Sequence, residues 1–383
     1  MFRLSRNVFN CLLHELAPFL DDGKSRNHRQ NVPASLKLGV ALYFFAHGGD
    51  AFHLEAASGL SKPTALKYVH QVAELICTKL APQWMGPVLL KQVNYMVCNR
   101  ERFRLRNGVP YVGAAIDGTH IPYFPNAGDS QQDYKNYKMW CSMLCIGIVN
   151  SHHCFLDLDV GWPGRLHDKT CTEYSYFWAE MHKNRNLWLG EDGIAVADTA
   201  WGIGSELVMT PYTAMDGSTE SQQWFNFVHS STRFFVEEVN GRWKNRFRCL
   251  LHGLRFSQEH SKKIIYATAV LHNICTLLGD LEQMYFNKSD SGQGFPRLPL
   301  AENEKNYPLD KIVCPRCKKL SQGVFVPKDK CSCYSMSLID RAPISLLTRE
   351  PNIRNDMKSS DPHTRREAYR RLLFAIKPDD FVV

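Results

Sequence analysis

No stretch of this chain approaches the run of about 18 apolar residues that a membrane span requires. The opening residues, Met1 to Leu13, break their apolar positions with Arg3 and Arg6. They lack the continuous apolar core and small-residue cleavage site of a secretory signal. Those absences set the expectation of a soluble, intracellular protein with no membrane partner. No internal repeat is present, and there is no acidic excess: 46 Lys and Arg stand against 38 Asp and Glu, a formal charge of +8. A modest positive balance favours a polyanionic partner without distinguishing nucleic-acid binders from other basic proteins. Cysteine is not scarce, but 13 is an odd number in a chain with no export signal. Reduced thiols are therefore expected, with metal binding where the spacing allows it. At 383 residues, 44% hydrophobic and 22% charged, there is material for a substantial core and for two or three domains.

The pattern along the chain predicts a helical N-terminal module over residues 1–108. Ser35, Leu36, Leu38, Val40, Ala41 and Phe44 form a broad apolar face that ends at the turn residues His47-Gly48-Gly49-Asp50. Phe52 to Ala57, the turn Ser58-Gly59-Leu60-Ser61 and Lys62 to Leu80 then follow a helix-turn-helix order. Ser61, Lys62, Thr64 and Lys67 stand where a recognition helix would meet a groove. A plain three-helix bundle with a solvated, charged face fits the same pattern. From Val109 the character turns to strands: Tyr111 to Ile116 ending at Asp117-Gly118, Ser142 to Val149, His153 to Val160, and Ile194 to Ala197 ending at Asp198. Helices are expected at Tyr174 to His182, from Ser221 to about Phe247, and at Lys262 to Leu278. Strands followed by helices, with acids at strand ends, predict an α/β domain with a mostly central sheet over 109–278. A polar linker at 279–310, then a cysteine-rich element and a basic C-terminal helix around Thr364 to Leu373 within 311–383, complete the division.

Magnesium-like cations prefer oxygen ligands. Two of them about 4 Å apart can activate an attacking water or hydroxyl and stabilise the leaving oxygen of a phosphodiester. Such chemistry needs several acids in one place. Asp117 and Asp198 each follow a buried strand, and Glu237 lies mid-helix with Arg233 and Gly241 one turn away on the same face. Singly, each also fits a turn, cap or solvated-face residue.

The blocks Ala115-Ile116-Asp117-Gly118-Thr119-His120-Ile121, Val160-Gly161-Trp162-Pro163-Gly164 with His167-Asp168, and Val196-Ala197-Asp198 resemble those of Harbinger-type DDE transposases and the nucleases derived from them. The helix Arg233 to Phe247 is similar to that family's glutamate block, and Leu271-His272-Asn273-Ile274-Cys275 to a further signature. The resemblance spans residues 35 to 278, with the blocks in order. It implies an RNase H-like mixed-sheet core and metal-dependent DNA cleavage, with strand transfer as a further step. It implies a DDE triad of Asp117, Asp198 and Glu237 holding Mg2+ or Mn2+, with Asp168 as a fourth acid. It also implies DNA as partner, a separate DNA-binding protein or a homo-oligomer in support, and action in the nucleus. Asp168 equally fits a helix N-cap before Lys169 to Ser175. Two departures stand out: Ala197-Asp198-Thr199-Ala200-Trp201 replaces a glycine-flanked block, and Glu238 and Asn240 stand where Arg and an aromatic are common in the family. They keep open the alternative of a domesticated, catalytically inactive DNA-binding or scaffold protein with the same fold.

Between Gly241 and His272 lie Arg242, Lys244, Arg246, Arg248, Arg255, Lys262 and Lys263 against one acid, Glu259. The first four are candidate DNA-phosphate contacts; a solubilising face is the other reading. Cys314-Pro315-Arg316-Cys317 followed by Cys331-Ser332-Cys333 has the four-thiolate arithmetic of a structural zinc site, with a second pair tighter than usual. So short an element would draw most of its folding free energy from metal. Metal analysis of the purified protein should find about one zinc per chain, and none in a Cys314→Ser, Cys317→Ser double variant. Zinc-free wild type with four freely titrating thiols would rule the site out.

Overall fold

A computed structural model of the chain describes residues 2–21, 32–86, 95–107, 109–126, 128–202, 205–213, 219–280 and 353–375. Cys314, Cys317, Cys331 and Cys333, and nearly all of the expected linker, lie outside these residues.

The described residues of the N-terminal part are mostly helical. Helix α1 spans Arg6–Leu20, where the Ser5 side chain accepts the Val8 N–H at 3.3 Å and so caps the first turn. Its Val8, Leu12, Leu16 and Leu20 recur every fourth residue and are all buried. Helices α2 (Ala34–His47), α3 (Ala51–Ser58) and α4 (Lys62–Leu75) follow, and a π-helical turn at Ile76–Leu80 leads into the short α5 (Ala81–Trp84) and then α6 (Tyr95–Asn107). Asp50 caps α3 through its carboxylate, and Gly59 ends it in the left-handed conformation at φ 68°. The α3–turn–α4 unit falls on the segment expected to be helix-turn-helix. Helix α4 buries Ala65, Val69, Val72 and Ala73, while Ser61 and Lys67 stay exposed.

Five strands form one mixed sheet in the order β3-β2-β1-β4-β5. They are β1 (Val112–Pro122), β2 (Ser142–Val149), β3 (Phe155–Pro163), β4 (Ile194–Val196) and β5 (Val208–Met209). β1, β2 and β3 form an antiparallel meander, and β4 and β5 add in parallel beyond β1. The first strand does not end at Ile116. Gly118 to Pro122 remain paired with Ile146 to Ser142, so Asp117 lies mid-strand. α7 (Gln131–Tyr134) lies between β1 and β2; α8 (Asp168–Glu173), α9 (Tyr176–Lys183) and α10 (Arg185–Trp188) connect β3 to β4. Ala114, Ile116, Leu144, Ile146 and Ile148 pack with Phe177, Met181 and Trp188 in one core layer. In the other, Val112, Ala115 and Cys145 pack with Val236, Val239, Trp243 and Ile264 from α11 (Glu220–Arg246) and α13 (Gln258–Leu277). A mixed sheet flanked by helices is compatible with the α/β nuclease core expected from the sequence. No helix among the described residues is long and apolar enough to cross a membrane.

Helix α12 (Cys249–His252) bridges α11 and α13, and α14 (Ile353–Met357) and α15 (Pro362–Ala375) close the described chain. The basic C-terminal helix expected around Thr364 to Leu373 is present as α15, and it packs against the core. α15 docks on α11, where the Trp224 indole N–H donates to the Leu373 carbonyl at 2.9 Å. The Tyr212 hydroxyl donates to Glu367 at 2.8 Å.

The basic run does not form one DNA-facing surface either. Arg246 points inward and is only 7% exposed. It donates to the Arg3 carbonyl at 3.0 Å and to the Asp280 carboxylate at 3.3 Å, and that carboxylate also accepts the Ser5 N–H at 2.8 Å. A guanidinium buried in this way cannot serve a phosphate. It ties the end of α11 to the start of α1 and to the residues after α13. Arg248, by contrast, is exposed. Arg246→Ala would leave Asp280 as an unpaired buried charge and should cost about 3–5 kcal/mol in a denaturant titration. Arg248→Ala should stay within about 0.5 kcal/mol of wild type. If both variants unfolded at the wild-type midpoint, the buried pair would have no structural role.

Candidate active site

Four elements bring four acids to the same end of the sheet. Asp117 sits on β1 opposite Gly147 of β2. On its other flank, β1 is paired with β4 only from Val112 to Ala115, where Ala115 aligns with Val196. Continuing that parallel register by two residues sets Asp198 level with Asp117. The C-terminal end of adjacent parallel strands is where α/β sheets present their chemistry. Asp198 begins the 3-10 turn Thr199–Trp201, its Oδ1 accepting the Ala200 N–H at 2.9 Å. Asp168 is the first residue of α8, with His167 in the capping position, so it is not the N-cap that its sequence context also allowed. Its carboxylate lies directly over the backbone of Gly118: a Cβ there would come within 2.1 Å of Oδ2. Only glycine lets the fourth acid approach β1 so closely. Glu237 comes from α11, which rests on β1 and β2.

The charges explain how the group is held. Arg233, one turn before Glu237 on α11, lies between two of the acids. Its Nη2 donates to Glu237 Oε1 at 2.5 Å, and its Nη1 stands 3.7 Å from Asp117 Oδ1. The Asp117 carboxyl is nevertheless pushed up to about 7, first by burial and then by Asp198, Asp168 and Glu237, with Arg233 opposing. Asp168 is pushed up to about 6, by burial and by Asp198, against His167 and the Gly118 amide. Arg233, with the Lys244 ammonium also in the field of Asp117, is too little for this much negative charge. Among the described residues, no three Asp, Glu, His or Cys side chains are drawn tightly enough together to hold a metal ion. The acids gather around Asp117, and a guanidinium occupies part of the space among them.

Lys244, expected to face DNA, instead reaches under the sheet edge. Its ammonium donates to Thr119 Oγ1 at 2.6 Å and to the His120 carbonyl at 2.9 Å, and burial lowers its pKa. It pins the second half of β1 to the helix that carries Glu237. Arg242 is half-buried, and Arg255 lies over the Phe124 ring at 4.0 Å. The inward turn of Lys244 was not legible in the sequence, because a lysine next to three other cations reads as surface. The bridging position of Arg233 was half legible: four residues before Glu237 on a helix is contact spacing. Cys145 and Cys275 are buried thiols that pack as small core residues.

Comparison with known proteins points the same way as the geometry. Residues 116–273 match the family described as DDE superfamily endonuclease, a stretch that contains all four acids. Proteins named "Putative nuclease HARBI1" from Homo sapiens and Bos taurus are each 28% identical over 243 residues, covering 61% of this chain and 65% of their own length. "Protein ALP1-like" from Arabidopsis thaliana is 24% identical over 291 residues, 72% of this chain and 69% of the relative. The matches to the HARBI1 proteins therefore span just under two thirds of those relatives. No solved structure matches the chain. With strand, helix and acid blocks falling inside the matched stretch, residues 116–273 of this chain are similar to the DDE superfamily endonuclease family.

Proposed function

We propose that this protein is a metal-dependent DNA endonuclease with an RNase H-like core, cleaving phosphodiester bonds at Asp117, Asp198 and Glu237 with Asp168 in support. The observation that carries the reading is the meeting of four carboxylates from four separate elements, two of them with raised pKa values, in a segment of DDE endonuclease type. The donor set is all oxygen, which suits Mg2+ or Mn2+ rather than a softer ion. Divalent cations bound there would activate the attacking water or hydroxyl and stabilise the departing oxygen. In this reading Asp117 and Asp198 hold the ions, Glu237 completes the set from the helix side, and Asp168 is kept in reach by the space above Gly118. Lys244 fixes β1 against α11, so the separation of Asp117 and Glu237 is set by packing rather than by loops. Arg233 has to leave Glu237 before that carboxylate is free. A guanidinium released beside a scissile phosphate is well shaped to receive it in a paired hydrogen bond.

DNA as substrate, the surrounding nucleus and any partner protein or second copy belong to the same proposal. Exposed Arg248 and the first turn of α4 remain available for phosphate contact. The competing reading, a silent scaffold, draws on the Arg233 contacts: a guanidinium seated between Asp117 and Glu237 could be a permanent substitute for metal. Plasmid nicking separates the two. Wild-type protein with Mg2+ or Mn2+ should nick supercoiled DNA, and Asp117→Asn should be reduced at least about a thousandfold with DNA affinity retained. That loss corresponds to about 4 kcal/mol of transition-state stabilisation. Wild type without any metal-stimulated nicking would favour the scaffold.

The charge imbalance also makes a prediction for the metal-free fold. Below about pH 4 Asp117 is protonated in both folded and unfolded chains and costs nothing. As pH rises, the unfolded chain ionises near the ordinary 3.8 while the folded carboxyl keeps its proton until about 7. Stability is therefore lost across that window and the penalty is complete above it. About three pH units at about 1.4 kcal/mol each set a ceiling of about 4 kcal/mol. In EDTA, Asp117→Asn should melt higher than wild type at pH 8, with the advantage fading toward pH 4. Added Mg2+ should then raise the melting point of wild type more than that of the variant. Parallel pH profiles with equal metal responses would mean that Asp117 is neither strained nor a ligand.

A further inference from the structure

Beside the acids, the loop between β1 and β2 does something unusual with its apolar side chains. At the turn after α7, Tyr137 is 79% exposed, Met139 74% and Trp140 36%. The turn is built from within. Asn136, buried at 3%, accepts the Lys138 N–H on its side-chain oxygen at 2.9 Å and donates from its amide to Ser142 Oγ at 3.2 Å. Its backbone accepts the Met139 N–H at 2.9 Å and donates to the Trp140 carbonyl at 3.0 Å. Met139 is thereby held at φ 67°, a conformation that a non-glycine residue keeps only where its surroundings impose it. A rigid, strained turn that displays an aromatic, a thioether and an indole to solvent is more than a connection. Exposed apolar groups gathered in one place mark an interaction surface.

Its location and charge indicate what it receives. His120 stands three residues after Asp117, on the face of β1 over which Asp168 lies. Its ring is 6.2 Å from Tyr137 and 6.0 Å from Trp140, and its Nδ1 is 2.9 Å from the same Ser142 Oγ that holds Asn136. Three residues of strand are about 10 Å, close to three base steps of a duplex at about 3.4 Å each. The segment that leads into Asp168 is packed on this loop: the Arg165 N–H donates to the Asp133 carbonyl at 3.1 Å, and a Cβ on Gly164 would strike Ser142 Oγ at 2.3 Å. Lys138 lies 5.4 Å from the centre of the Tyr137 ring. Flat π faces interleaved with cations are the chemistry of single-stranded nucleic acid, where bases stack and phosphates are neutralised.

We propose that the turn Asn136–Trp140, together with His120, is a stacking platform for unpaired DNA bases next to the phosphate that is cut. The inference rests on the DNA-cleaving reading and adds to it a substrate feature: DNA that is frayed or flipped open beside the scissile bond, rather than continuous duplex. Tyr137 and Trp140 supply the stacking faces, Lys138 reaches the backbone, and the Asn136 hydrogen bonds keep the platform ordered before DNA arrives.

The test uses full-length protein in EDTA, so that binding is read without cleavage. Fluorescence anisotropy compares a blunt duplex with the same duplex carrying a short unpaired extension, with 2-aminopurine in the extension as a second readout. Wild type should bind the extended DNA about tenfold tighter and change the 2-aminopurine emission. Tyr137→Ala with Trp140→Ala should abolish the preference while keeping blunt-duplex affinity within about twofold; Tyr137→Phe with Trp140→Phe should restore it. Equal affinity of wild type for both DNAs, or a preference that survives in the alanine variant, overturns the platform while leaving the nuclease reading in place. The same unaltered affinities are what a protein-docking surface would give. No binding to either DNA would remove the nuclease reading itself.

Discussion

Negative charge without enough positive charge to balance it is the constraint around which this molecule is organised. Asp117 is largely buried and lies in the field of three other carboxylates, and the guanidinium that reaches it, Arg233, is shared with Glu237. Two carboxylates about 4 Å apart repel by about 4 kcal/mol at an effective dielectric of about 20. A fold that brings four together must hold them by force of packing. Here that force comes from α11. Its buried face of Val236, Val239 and Trp243 fixes it to the sheet, and Lys244 fastens it to Thr119 and His120. The Arg246 network at the end of the helix secures it to α1 and to Asp280. None of these contacts is made by the four acids themselves (the carboxylate that receives Arg246 is that of Asp280), yet together they resist the acids' mutual repulsion.

Much of this was legible in the residues, for physical reasons that can be named. The strands β2 and β3 and the long helices announce themselves through period and turn residues. The parallel pairing of β1 with β4 could not be read from either strand alone. Yet Ile-Asp at 116–117 and Ala-Asp at 197–198 marked the two acids that this register sets level with each other, because each follows a short apolar run. Strand β1 ran further than its apolar pattern because pairing with β2 holds Gly118 to Pro122 extended whatever their hydropathy. The very short β5 has no pattern of its own; it exists because β4 offers it an edge.

The cations were the least legible part. Sequence treats Arg242, Lys244, Arg246 and Arg248 as one basic run, since charge is usually solvated and neighbours are usually alike. A helix separates residues two apart by about 200°, so the tertiary environment sorts them into different roles. Arg246 is buried in an ion pair, Lys244 clamps a strand, and Arg248 stays in water. The C-terminal helix was legible as a helix but its packing was not: nothing in its own residues announces that Trp224 and Tyr212 provide α15 with a docking surface on the core.

Gly118 gives the site a direction. Because the Asp168 carboxylate already rests against the backbone of β1, with no room for even a methyl group between them, helix α8 cannot advance. Displacement of that helix along this direction can only carry Asp168 away from β1. The fourth acid is therefore seated against a mechanical stop: its nearest approach is fixed by the volume of a strand rather than by the balance of attraction and repulsion. Thermal motion of α8 along this direction can lengthen the approach of Asp168 to β1 but cannot shorten it. A centre assembled in this way tolerates a change in its charge state better than it tolerates an added carbon.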